Sequence, residues 1–197
     1  MKAKKIHIFS IALVLLILAA GSFVPDQTRI LTYISSFGFL ALLSVIFVIS
    51  IPLLFRLKRN RLTTYLLANR RWIGIYTFIF TLIHVLIVMN FFFAWDLGKA
   101  LSNTYRLLGG IALLILAALT ATSNDTSMRK LGKNWKRLHY AVYIALLLVI
   151  VHSFNIGKIF LEGTAAKIVI IILVVVIIVW RLILRRKSTI KQSSQAN

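Results

Sequence analysis

The sequence predicts an all-α fold, a six-helix transmembrane bundle with both chain ends on the cytoplasmic side. Three observations carry that expectation. Of the 197 residues, 60% are hydrophobic and 14% charged, against roughly 25% charged in an ordinary soluble domain. The apolar residues fall in blocks of about 20, the length that crosses a roughly 30 Å hydrocarbon core. Lys and Arg gather in alternate short loops between those blocks, which is the pattern that orients helices in a bilayer.

The first apolar block, Ile6–Val24, follows Met1-Lys2-Ala3-Lys4-Lys5. It is longer than the apolar region of a signal peptide, and Gly21-Ser22-Phe23 makes a poor cleavage site, so the block reads as a retained helix. The next blocks are Ile30–Phe55, Trp72–Phe93 and Leu107–Thr122. A fifth runs from Leu138 to near Ile156, and the sixth is Ala165–Leu184. Residues 1–186 form one domain by this reading, and 187–197 a polar cytoplasmic tail.

Charge sets the topology. The N-terminus carries three Lys/Arg, the Arg56–Arg71 stretch six, Arg129–Arg137 five and the C-terminal end five, nineteen of the 24 in all. The alternate loops hold only Arg29, Lys99, Arg106, Lys158 and Lys167, together with Asp26, Asp96 and Glu162. That asymmetry places both ends inside and requires an even number of spans. A net charge of +20 would suit a nucleic-acid binder, but charge confined to loops between apolar blocks points to the lipid bilayer as partner and to no nucleic acid. Without cysteine, disulfides, thiolate metal sites and cysteine nucleophiles are excluded.

An ionisable side chain inside a membrane span is costly and usually functional. His7 lies at the mouth of the first span among lysines and is expected to be merely solvated. His84 sits in the third span, His139 and His152 in the fifth, and these two spans run in the same direction. His84 lies thirteen residues past Arg71 and His152 thirteen past His139, so both stand about 20 Å above the span starts at about 1.5 Å per residue. Two imidazoles at one depth on separate helices are what a six-coordinate haem needs. His139 lies near the inner surface. Thirteen residues do not bring His139 and His152 to one helix face, so a bend or a single wide turn is expected between them. Arg70, fourteen residues before His84, stands at the inner level opposite His139, where a guanidinium suits a haem propionate.

The segment Arg70-Arg71-Trp72-Ile73-Gly74, running on to Leu82-Ile83-His84, resembles a helix of the bacterial ferric reductase-like transmembrane proteins. A second block also resembles that family: Thr122-Ser123, then Arg129-Lys130-Leu131-Gly132-Lys133-Asn134-Trp135-Lys136-Arg137-Leu138-His139, then Tyr143 and His152. Within the family the pattern is similar to the MsrQ-type haem-binding membrane subunits, and it covers roughly residues 30 to 160. The resemblance implies a six-helix bundle in the cell inner membrane that holds one or two haem b groups and moves electrons outward. His84 and His152 would ligate the outer haem, and His139 would be a ligand at an inner site.

Arg70, Arg71, Lys133 and Arg137 would contact cofactor, the last two alternatively an acidic partner. Gly74, Gly109 and Gly110 are small enough for close helix or porphyrin approach, and Trp72 and Trp135 fit an interfacial belt. The chain shows no glycine-rich dinucleotide fingerprint, so a cytoplasmic flavin reductase or a membrane quinol is the expected donor, with FMN or quinone as further cofactors. An outer-face reductase or ferric iron is the expected acceptor. The alternative is a small transporter or a structural membrane subunit without haem. Against transport stands the absence of acids at mid-membrane.

Overall fold

The computed structural model describes residues 3–193. Among them the chain forms ten helices and no strand. Six spans are long and apolar enough to cross a membrane: Lys4–Ser22, Asp26–Leu57, Arg70–Phe92, Thr104–Ala121, Lys133–Ile156 and Thr164–Leu184. The expected number and order of spans therefore hold, and the chain is a multi-pass membrane protein.

Helix α1 (Lys4–Ser22) joins α2 (Asp26–Leu57) through a tight corner. Pro25 opens α2, where its missing N–H costs nothing. Arg29 then reaches back to the end of α1 and the corner after it, donating to Gly21 O and Val24 O, and pairs with Asp26 at 2.6 Å. Gly21 is buried against the Tyr33 ring, and a Cβ there would overlap that ring. Gly21→Ala is expected to cost about 1–3 kcal/mol by overpacking, read as a lowered unfolding midpoint in detergent.

α2 is the central helix. Leu42, Val45, Ile46 and Ile49 are almost fully enclosed, and they meet Leu116, Ala145, Leu146, Ile170 and Ile177 from three other spans. The remaining helices follow as α3 (Arg61–Ala68), α4 (Arg70–Phe92), α5 (Leu97–Leu101), α6 (Thr104–Ala121), α7 (Asp125–Leu131), α8 (Lys133–His139), α9 (Ala141–Ile156) and α10 (Thr164–Ser193). The most extensive packing joins α2 to α4 and α6 to α9, so the bundle centre is two antiparallel helix pairs facing one another. The outward faces of α1 and α10, with Leu15, Leu16, Val169 and Ile172 exposed, present apolar side chains where lipid would lie.

The loops hold more helix than the sequence suggested. Asn60 and Thr63 form a capping box that starts α3 within the basic Arg56–Arg71 stretch, and Asn103 and Asn124 cap α6 and α7. The fifth span begins at Lys133, five residues before the expected Leu138, because α8 stacks onto α9. α10 continues as helix to Ser193, past the start of the expected polar tail at 187, and residues 194–197 lie outside the described residues.

Candidate functional site

His84 projects from α4 and His152 from α9, and their ring centroids stand 6.5 Å apart with ring planes at 88°. Each imidazole is held in the same way. The Nδ1 of His84 lies 2.9 Å from the Ile34 carbonyl, and the Nδ1 of His152 lies 2.8 Å from the Tyr105 carbonyl. A carbonyl can only accept, so each Nδ1 carries the proton and each Nε2 is left with a free lone pair.

What permits this approach is a glycine one helical turn further on. Gly38 follows Ile34 by four residues, and Gly109 follows Tyr105 by four. A Cβ built on Gly38 would lie 2.9 Å from His84 Nδ1, and one on Gly109 would lie 2.6 Å from His152 Nδ1. The two helix pairs thus repeat one device: a histidine on one helix, and on its partner a backbone carbonyl with a glycine beside it. Gly109 was expected to allow a close approach. Gly38, Ile34 and Tyr105 were not singled out, since a carbonyl acceptor leaves no mark on residue type.

Between the pairs lies a cavity of about 330 Å³, lined mainly by apolar side chains and by both histidines and both glycines. Two neutral imidazoles facing one slot would serve as donors to a metal that brings its other ligands with it. No group of three or more His, Asp or Glu that could hold a bare metal ion occurs among the described residues.

The other expected residues gather at the opposite end of the spans, which carries Arg56, Arg70 and Arg181. The His139 ring stacks on Trp135 at 3.9 Å between centroids, its Nε2 lies 3.4 Å from Ser123 Oγ, and its Nδ1 is buried without a partner. Trp135 is fixed in turn by its indole N–H donating to Thr122 O at 2.9 Å. Arg70 stands within electrostatic reach of His139 and Arg181, and its Nε donates to Val48 O at 3.1 Å. Val48 O is the carbonyl that Pro52, four residues on within α2, cannot bond. The proline therefore frees an acceptor inside a membrane helix, and Arg70 satisfies it.

The remaining expectations fare unevenly. Arg71 pairs with Asp125 at 2.6 Å on the surface, so its guanidinium is engaged by a loop carboxylate. Lys133 and Arg137 are exposed on α8 and line neither of the two cavities described. A Cβ on Gly74 would meet nothing within 4 Å, and one on Gly110 would meet Leu101 at 3.3 Å; close approach holds for Gly110 and fails for Gly74. His7 is not merely solvated: its Nδ1 meets Tyr76 OH at 3.0 Å, and its ring sets edge-on against Trp72, because α1 packs on α4. Where a bend or a wide turn was expected between His139 and His152, the chain tightens: Tyr140 N is shared between Lys136 O and Arg137 O, and Tyr143 N bonds Tyr140 O, three-residue closures just after His139.

Residues 35–150 match the family described as ferric reductase like transmembrane component. That segment holds His84 and His139, while His152 lies two residues beyond it. Over 88 residues, 42% of this chain and 14% of the relative, the sequence is 40% identical to magnetosome protein MamZ of Magnetospirillum gryphiswaldense. Over 111 residues, 54% of this chain and 56% of the relative, it is 34% identical to the protein-methionine-sulfoxide reductase heme-binding subunit MsrQ of Salmonella paratyphi B, and equally to that of Salmonella newport. The chain thus spans about half the length of the MsrQ relatives it matches and far less of MamZ. No solved structure matches. With six spans and more than half its length inside the family match, this multi-pass inner-membrane chain belongs to the ferric reductase like transmembrane component family.

Proposed function

We propose that this protein is a haem-binding membrane subunit that carries single electrons across the inner membrane. One observation carries the reading: two imidazoles from separate spans, each with Nδ1 turned to a backbone carbonyl, line a shared slot with ring centroids 6.5 Å apart. Two imidazoles that share one metal, each at roughly 2 Å from its coordinating nitrogen, stand with centroids roughly 6 Å apart. The donor set also fits. Two histidines without any third ligand suit an iron already held by four porphyrin nitrogens. The backbone carbonyls behind them are the outer partners that set ligand tautomer, orientation and basicity. A chain without cysteine holds such a group without thioether bonds, which excludes c-type attachment and suits haem b.

When bound, haem supplies one-electron chemistry. The protein's own contribution is a fixed depth, two anchored imidazoles and an apolar wall that keeps water from the iron. The lysine and arginine distribution puts the Arg70–His139 end at the cytoplasm and the His84–His152 slot towards the outer face. His139, with Arg70 across from it, is the residue pair for a second group on the inner side: a second haem, a flavin mononucleotide or a quinone. The donor is a cytoplasmic flavin reductase or membrane quinol, and the exposed Lys133 and Arg137 on α8 suit an acidic docking face. The acceptor is an outer-face catalytic reductase, in keeping with the name of the MsrQ relatives, or ferric iron.

The visible spectrum of the protein purified from haem-replete cells tests this. A Soret band that sharpens on dithionite, with a b-type α-band, is expected; a colourless preparation removes the proposal. His139→Ala is expected to leave the outer haem's spectrum in place and to lower only an inner component, read as the reduced-minus-oxidised difference spectrum.

A further inference from the structure

The slot between the helix pairs has a polar end that the histidines do not explain. Arg106 and Lys158 are the residues of its lining that carry a permanent charge, and no acid joins them there. Arg106 stands at the start of α6, next to the Tyr105 carbonyl that holds His152. Lys158 follows the end of α9. Both therefore lie at the end of the slot remote from Arg70 and His139.

Arg106 is set in place rather than waving in solvent. Its Nη2 donates to Lys99 O at 3.1 Å and to Ser102 Oγ at 3.0 Å, and its guanidinium lies 5.0 Å over the Phe93 ring. Its Nε is buried and has no partner. A buried guanidinium N–H without an acceptor has given up its water for nothing, and such groups in native structures call for an explanation. The nearby acid Asp96 is taken by Lys99, with its Oδ1 accepting from the Lys99 amide at 2.9 Å and Oδ2 at 3.5 Å from Nζ. It does not supply the acceptor.

We propose that Arg106 and Lys158 hold the two propionate carboxylates of the haem, so that the macrocycle enters the slot with its acidic edge towards the outer end; this rests on the haem reading above. The stoichiometry is matched, two cations for two carboxylates. The chemistry is matched as well, since carboxylates carried into an apolar slot are expensive unless paired. With Nη2 fixed by two bonds, the guanidinium keeps its Nε–H and Nη1–H groups to donate singly to carboxylate oxygens. The sequence assigned Arg106 and Lys158 only to orientation charge, and it placed Arg70, Lys133 and Arg137 as propionate partners at the inner surface, with Arg71 as a further cofactor contact. The lining of this slot includes none of those four.

The test is a chemical double-mutant cycle on the full chain. Wild type, Arg106→Gln, Arg106→Lys and Lys158→Gln are produced in a haem-deficient host, placed in nanodiscs, and titrated with haem and with haem dimethyl ester. Arg106→Gln is expected to weaken native haem by about tenfold or more, as loss of a charge-assisted bond does, and to leave binding of the ester unchanged. Lys158→Gln should act in the same direction with a smaller effect, and Arg106→Lys should recover most of the loss. The midpoint potential should fall in Arg106→Gln, because a nearby cation favours the less positive ferrous state; each tenfold by which the ferrous loss exceeds the ferric loss corresponds to about 59 mV for one electron. Equal weakening of haem and ester means that Arg106 only braces the fold, and overturns the assignment. So does unchanged affinity for native haem. A wild-type chain that takes up neither compound overturns the haem reading together with it.

Discussion

Replacing His84 or His152 with alanine is expected to abolish low-spin haem binding, each variant alone being sufficient. A single remaining imidazole leaves the iron with one protein bond in a slot whose polar contacts were arranged for two. The carbonyl of Ile34 or of Tyr105 then loses its imidazole partner, and an under-satisfied carbonyl in an apolar bundle adds to the loss. Haem per polypeptide should drop by at least about tenfold in either variant, since losing a bonded ligand together with its hydrogen bond exceeds the 1.4 kcal/mol that a factor of ten requires. The measurement is the pyridine haemochrome assay on detergent-purified protein, with circular dichroism confirming retained helix. Full haem content and an unchanged spectrum in both variants would show the pairing of these two residues to be wrong.

The second large effect concerns residues with no side chain. Gly109→Ala brings a Cβ to 2.6 Å from His152 Nδ1, and Gly38→Ala brings one to 2.9 Å from His84 Nδ1. Neither ring can retreat freely, because each is tied to the same helix it would have to leave. Relief requires breaking the Nδ1–H bond or parting the helices, and overpacking of this kind costs about 1–3 kcal/mol. The expected order of haem loss is Gly109→Ala above Gly38→Ala, with Gly74→Ala unaffected, as its Cβ meets nothing within 4 Å. Haem content and midpoint potential of the three variants, measured side by side, check that ranking. An effect of Gly74→Ala equal to the other two would mean general helix packing rather than the histidine cradle. The ranking separates ligand anchoring from bundle stability without touching a ligand.

Several features were legible in the residues alone. Apolar block length gave six spans and came within a few residues of most ends, because bilayer thickness imposes a length on every crossing helix. The sequence spacing also put His84 and His152 at one level, since rise per residue in a helix is nearly constant. The second motif block pointed to the family that the match over residues 35–150 establishes. The misses have causes as specific. Arg71, expected as a cofactor contact, has Asp125 of α7 within 2.6 Å, a pairing that residue order does not announce. His7 looked solvated until α1 packed against Tyr76 and Trp72 of α4. The short helices α3, α5 and α7 were read as loops, because apolar blocks announce only the helices that lipid requires.

What the sequence determined by itself is thus what the bilayer dictates one segment at a time: the number of spans, their lengths and the depth of each polar group along them. What only the tertiary structure decided is which groups meet across helices. The Ile34 and Tyr105 carbonyls, the glycines that admit an imidazole to them, the acceptor freed by Pro52 for Arg70, and the unpartnered Nε of Arg106 all depend on how one helix is rotated against another. Rotation about a helix axis leaves hydropathy and depth unchanged. It is fixed by side-chain packing between helices, and residue order along a single span does not record it.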